Sequence, residues 1–362
     1  MKKIYNSPKV LIVFFLLFNI VSLEAKEEYT KVVQKDYSTN SNTSLVIVNK
    51  YGTVKLMDWD KPQISITVKI TVDHNNKNEA EKLLDMIHID FSDANNVIKA
   101  VTNIDEGFGT SGIWSGLKGG KNFSIDYNIN LPRNLSHVTL NNKYGNIVVN
   151  ELSGLLEIDL KYGNLNINKL TRSDDKPLNT IILGYGKANI DQCSWLKFNL
   201  SYSQAAFSSC KALIVVSKYS KIAIDKSSSI VAESAYDGYS LGDLNNFVVT
   251  GKYSNYSLSS LTTKLDADIK YSDINVNSVP KNFESIKITN SYGKINLGIA
   301  SDASYSLDAF VKYAGINYPE TGRVSRISEN TSTTVKGVVG TDKNTSSSVN
   351  INSSYGGVNL RK

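Results

Sequence analysis

The stretch Lys218-Tyr219-Ser220-Lys221-Ile222-Ala223-Ile224-Asp225 decides the fold, because near copies of it recur down the chain. Lys50-Tyr51-Gly52, Lys143-Tyr144-Gly145, Lys161-Tyr162-Gly163, Gly184-Tyr185-Gly186, Ser201-Tyr202-Ser203, Lys252-Tyr253-Ser254, Lys270-Tyr271-Ser272, Ser291-Tyr292-Gly293, Lys312-Tyr313-Ala314 and Ser354-Tyr355-Gly356 share its opening. A degenerate copy reads Ala235-Tyr236-Asp237. From Tyr144 the tyrosines continue at Tyr162, Tyr185, Tyr202, Tyr219, Tyr236, Tyr253, Tyr271 and Tyr292, in steps of 18, 23, 17, 17, 17, 17, 18 and 21 residues. A near-constant period of this length marks a stacked repeat fold.

Within one repeat the apolar residues alternate. For Tyr219 they lie before it at Leu213 and Val215 and after it at Ile222 and Ile224; the other repeats place Leu, Ile, Val or Phe at most of the same positions. Alternation of period two means strand. The inward parity changes across the Tyr-Gly/Ser pair, which a straight strand cannot do, so the chain bends there. Hairpins would need a turn signal after every strand, whereas a coil that climbs one strand spacing per repeat explains a single recurring turn. The reading is therefore an all-β chain, a right-handed parallel β-helix or β-solenoid over residues 134–362 with repeats of roughly 17–18 residues. It is preceded by a β-rich segment, 26–133, that carries the first Tyr-Gly coil and one short helix near Asn78–Met86. Polar residues 26–43 read as a flexible lead-in. Val349–Leu360 reads as a final coil after a polar excursion at 320–347.

The N-terminus has the pattern of a signal peptide over residues 1–25: Lys2, Lys3 and Lys9, an apolar run from Val10 to Phe18, and Ala25 as the cleavage residue. The apolar run is shorter than the roughly 20 residues of a spanning helix, and no transmembrane span is expected once the leader is removed. The expected location is outside the cytoplasm: periplasm, outer membrane or cell surface. Net charge is +6 for the whole chain, too mild to point to nucleic acid as a partner.

Cys193 and Cys210 lie one coil apart at the same repeat position. They read either as a disulfide between stacked rungs or as two small buried hydrophobes. The tyrosine column reads as a structural corner stack, with the alternative that sugar rings pile on its faces. The lysine that precedes the tyrosine in seven of the twelve copies should point outward, either to hold a polyanion or to deter sheet aggregation. A glycine-rich loop, 105–120, holds Phe108 and Trp114 as a ligand-loop candidate. His74, His88 and His137 are isolated, and the acids Asp159, Asp191, Asp225, Asp266, Asp268 and Asp273 show no convergence in sequence. The expectation is no catalytic residue, no cofactor and no metal.

Several features together carry a resemblance to the bacterial putative-adhesin family: Asn49-Lys50-Tyr51-Gly52-Thr53-Val54 ahead of Trp59, the strand Ile64–Val72, the helix around Ala80-Glu81-Lys82-Leu83-Leu84, Ile125-Asp126-Tyr127-Asn128-Ile129-Asn130-Leu131-Pro132, and the Tyr-Gly repeats. The resemblance implies a β-helical surface or periplasmic protein of unknown function. The functional expectation is a non-enzymatic exported solenoid that binds a glycan or an envelope component. The alternatives are a polysaccharide-active lyase or hydrolase on the same scaffold and a periplasmic scaffold for another envelope protein.

Overall fold

The structure is a computed structural model that describes residues 27–106 and 123–361. The leader 1–25 and the aromatic residues Phe108 and Trp114 lie outside the described residues. Apart from the helix Lys77–Asp85, the described elements are strands, joined in one sheet. The helix is capped by Asn76, whose Oδ1 accepts from the N–H groups of Asn78 and Glu79 at 2.9 and 3.2 Å. It buries Ala80, Leu83 and Leu84 against the strand Gln63–His74.

The repeats form a parallel β-solenoid. Strands of 15 or 16 residues, Lys187–Ser201, Gln204–Lys218, Lys221–Ala235, Gly238–Lys252 and Asn255–Lys270, each make one full coil and lie in register on the next. Leu196, Leu213, Ile230, Phe247 and Leu265 therefore stack as one buried column, and Ile190, Phe207, Ile224, Leu241 and Leu258 as another.

Alternation slips three times per coil rather than once. In Lys187–Ser201 two adjacent exposed residues, Asp191 and Gln192, and two half-buried ones, Ser194 and Trp195, interrupt the in-out pattern. The ladder between this coil and the next skips at Asp191/Ser208 and Ser194/Lys211. Each slip turns the chain, so the tyrosine corner is one of three. Short, bent sides of this kind let a continuous strand wrap around a narrow core.

Both ends of the stack are covered. At the first coil, Ser44–Lys50 pairs with His137–Lys143 above and Val97–Ile104 below, and Val54–Trp59 likewise sits between Ile147–Leu152 and Phe123–Pro132. Below these the strands turn antiparallel: Gln63–His74 on Phe123–Pro132, and Ile87–Ala94 on Val97–Ile104. The expected lead-in over 26–43 is corrected for residues 27–38. Glu27–Ser38 is a strand that pairs along its whole length with Gln63–His74, and Tyr29 and Tyr37 pack toward the core. Its composition hides this, because an outer strand buries little and keeps Lys and Glu.

At the other end Ser332–Val339 runs antiparallel along Tyr305–Lys312 and forms a hairpin with Gly322–Glu329. The final coil of the chain is not the last rung of the stack. Ser348–Ser354 lies between Ser285–Ser291 and Tyr305–Lys312, parallel to both, and Val358–Arg361 lies between Ile295–Ile299 and Ile316–Asn317. The chain leaves a slot after the Tyr292 coil, builds the Tyr313 coil and its hairpin, and then returns to fill the slot. Deleting residues 348–362 should therefore expose two facing strand edges. The expected outcome is a lowered thermal midpoint and concentration-dependent aggregation in light scattering; a monodisperse variant of unchanged midpoint would contradict the insertion.

Candidate functional site

The tyrosine corner is the most regular surface of the rod. Twelve tyrosines, in the spatial order Tyr51, Tyr144, Tyr162, Tyr185, Tyr202, Tyr219, Tyr236, Tyr253, Tyr271, Tyr292, Tyr355 and Tyr313, stack in one column. Successive centroids are 4.6–5.4 Å apart and the planes are within 15° of parallel. Each side chain is between 36 and 52 % exposed. With the ring faces turned to one another, what the column presents to solvent is ring edges and hydroxyls. Sugar rings therefore have no free faces to pile on between coils.

The left-handed residue of the bend is the tyrosine, not the glycine. All twelve have φ between 51° and 62°, a region that costs a non-glycine residue about 1 kcal/mol or more. The residue after the tyrosine points inward instead. Where it is glycine, a Cβ would meet the carbonyl of the neighbouring coil: at 1.8 Å for Gly145 against Gly52 O and for Gly163 against Gly145 O. Where it is serine, the hydroxyl is used. Ser203, Ser220, Ser254 and Ser272 each donate to the carbonyl two residues back, at 2.8–3.0 Å. The Oγ of Ser203, Ser220 and Ser272 also accepts the N–H of the corresponding residue one coil away, Gly186, Ser203 or Ser254.

Asp237 explains the degenerate copy. It replaces serine in that column and is buried. Its carboxylate accepts from Ser220 N and Ser217 Oγ at 2.7 Å, Ser234 Oγ at 2.9 Å and Ala235 N at 3.0 Å. Its own N–H donates to Ser254 Oγ. Ser217 Oγ also shares a 2.6 Å hydrogen bond with the buried Tyr239 hydroxyl. Four donors around one buried carboxylate satisfy it without a cation.

Cys193 and Cys210 form a disulfide with Cα atoms 4.6 Å apart, one coil over the next. The acids scatter: Asp191 and Asp225 line one cleft of about 410 Å³, Asp273 lines a neighbouring one, and Asp159, Asp266 and Asp268 lie on strands before the tyrosine corner. His88 and His137 sit beside Asp105 and Glu157 at 3.5 and 3.2 Å, and His74 bonds locally to Asn76. Among the described residues no group of three or more His, Cys, Asp or Glu is placed to hold a metal ion, and no helix is long and apolar enough to cross a membrane.

Two variants test the buried network. Asp237→Ala should leave Ser217, Ser220 and Ser234 without their acceptor and cost about 2–3 kcal/mol, read as a lower denaturation midpoint, whereas Asp237→Ser restores the column and should cost little. Four buried phenols set an alkaline limit. Burial pushes Tyr127 up to about 12 and raises Tyr239, Tyr256 and Tyr305 as well. A phenol whose folded pKa lies above its ordinary 10 stabilises the fold below pH 10. That stability should drain away as the pH climbs from about 10 toward 12, followed by circular dichroism alongside phenolate absorbance.

Solved structures similar to the chain include a putative cell adhesion protein from Clostridium sporogenes, 13 % identical over 92 % of this chain and 99 % of that one, with a TM-score of 0.20. A putative adhesin from Parabacteroides merdae is 12 % identical over 75 % and 96 %, with a TM-score of 0.37. A protein from Parabacteroides distasonis described as a putative lipid binding protein is 10 % identical over 91 % and 97 %, with a TM-score of 0.24. No curated protein matches the chain. A family model, Toastrack DUF4097, matches residues 241–361, in keeping with the resemblance drawn from the Tyr-Gly repeats.

Proposed function

We propose that the protein is an exported, non-enzymatic rod of the cell envelope that works by binding, as an adhesin. The observation that carries this reading is the tyrosine corner itself: one surface motif repeated along a rigid axis at 4.6–5.4 Å intervals. A row of equivalent weak contacts suits an extended, repetitive ligand, because each contact after the first is intramolecular and affinity grows by avidity. The disulfide between coils supports export, since such bonds persist in oxidising compartments.

Fractionation of the producing cells with protease shaving tests the location, and binding of purified protein to whole cells tests the role. The expected outcome is recovery outside the cytoplasm and saturable binding to cells or isolated envelopes. Recovery in the cytoplasm, or no binding to either, would refute the reading.

One observation favours a second reading. Asp191 and Asp225 occupy the same position two coils apart in a single cleft, hence about 10 Å from each other. That is near the upper end of the roughly 6.5–9.5 Å used by an inverting glycosidase pair. Release of reducing ends from a polysaccharide, abolished by Asp225→Asn, would support hydrolysis; none from a broad panel would remove it.

A further inference from the structure

We infer that the tyrosine corner is a docking track for a linear acidic polysaccharide that runs parallel to the rod axis. The inference rests on the binding reading above and names its ligand class.

Charge is the first ground. Across the twelve coils, the four positions from one before the tyrosine to two after it hold ten lysines: Lys50, Lys143, Lys161, Lys187, Lys218, Lys221, Lys252, Lys270, Lys294 and Lys312. The acids at those positions are Asp237, which is buried, and Asp273, which is exposed. Asp273 is spent on the neighbouring coil, accepting the backbone N–H of Lys294 at 2.7 Å. The whole chain carries only +6 from 40 basic and 34 acidic residues. At these positions lysines thus outnumber acids ten to two, while Asp159, Glu233, Asp266, Asp268 and Asp308 lie outside them.

The second ground is that these cations are uncommitted. Among the described residues, only Lys161 of the ten has a carboxylate partner, Asp159 at 4.0 Å. Lys143 and Lys312 rest over tyrosine rings at 4.7 and 5.0 Å. Lysines kept merely to prevent edge pairing would not be needed here, because the coils are paired on both sides and both ends are covered.

The third ground selects the polymer. Ring faces buried in the stack cannot take unstacked bases, so the contact that gives single-stranded nucleic acid its affinity is closed. What remains is a row of phenol hydroxyls and electropositive ring edges, one per coil, flanked by ammonium groups. A cleft of about 950 Å³ follows the row past Tyr185, Tyr202, Tyr219, Tyr236 and Tyr253, with Lys187 and Lys221 on its wall. Hydroxyl and ammonium donors at the spacing of a coil suit a chain that offers carboxylate or sulfate oxygens at regular intervals.

The test uses the full chain and polygalacturonate, a linear polymer with one carboxylate per sugar, with dextran as a neutral control and duplex DNA as a second polyanion. Binding to polygalacturonate should exceed that to DNA, be absent for dextran, and weaken as salt rises from about 50 to about 200 mM. The double variant Lys218→Gln/Lys221→Gln should bind about tenfold more weakly, and Tyr219→Phe, which keeps the stack but removes one hydroxyl, a few-fold more weakly. Lys197→Gln, on the strand before the corner, should match the parent chain. Unchanged thermal midpoints show that the variants fold. DNA bound as tightly as polygalacturonate, or affinity indifferent to Lys218 and Lys221, overturns the inference. Binding to whole cells without binding to polygalacturonate overturns it too but leaves the adhesin reading standing; loss of both refutes both.

Discussion

Every other feature depends on the in-register parallel hydrogen bonding between coils. A ladder that maps each residue onto its counterpart 17 places later turns sequence positions into columns. A residue type that recurs in sequence becomes a stack in space about 4.8 Å apart, and whatever it offers is repeated along the axis. Leucine and isoleucine columns fill the core, serine and glycine columns line the inside of the corner, and tyrosine and lysine columns decorate the outside. The same rule brings Cys193 onto Cys210. Register is pinned because a slip by one residue would turn the apolar columns outward.

The corner shows how strain and stacking are balanced. Holding a tyrosine at positive φ costs about 1–2 kcal/mol. Against that, the N–H of every tyrosine but Tyr313 continues the ladder by donating to the carbonyl before the next tyrosine in the column, as from Tyr219 to Ala235 O at 3.0 Å. A net hydrogen bond contributes about 1 kcal/mol, and a ring stack about 0.5–1.5 kcal/mol more. The terms cancel to within about 1 kcal/mol per coil. A glycine at the same place would relieve the strain but lose the stack. Assigning the left-handed conformation to tyrosine also frees the next position to vary among Gly, Ser, Asp and Ala, none of which has to adopt it.

Much of the fold was legible because columns are periodic. The apolar alternation located the core columns, and the helical spacing of Ala80, Leu83 and Leu84 located the helix. The bend at Tyr-Gly/Ser was legible, but its left-handed residue was not, since glycine is the usual bearer of positive φ. The two further turns of each coil carry no regularly recurring glycine or proline, although Gly242 stands at the position of Asp191 and Asp225. Asp191 and Gln192 mark one only through two adjacent outward residues. Glu27–Ser38 was missed because a strand at the margin buries so little. The place of the final coil could not be read at all: its residues match any other repeat, and nothing local says which neighbours it joins. As for the candidate site, the outward lysines were visible in sequence. Their concentration on one corner required the +2 residues Lys187, Lys221 and Lys294 to be placed beside the tyrosines, which depends on the bend.

Stacks of parallel coils have two exposed edges that would extend indefinitely by adding another chain. Here antiparallel strands run across both, Gln63–His74 and Glu27–Ser38 at one end and Ser332–Val339 at the other. An antiparallel strand ends the coil repeat, because its chain direction offers no parallel rung for the next coil to copy. The inserted final coil strengthens this end by pairing on both sides, so the hairpin that seals the stack is held by a segment that arrives after it in the chain. With growth along the axis blocked, the repeated surfaces left open are the sides of the rod. Of these, the tyrosine corner joins strict periodicity to an excess of positive charge, and a rod that cannot lengthen can use that corner to hold a polymer without becoming one.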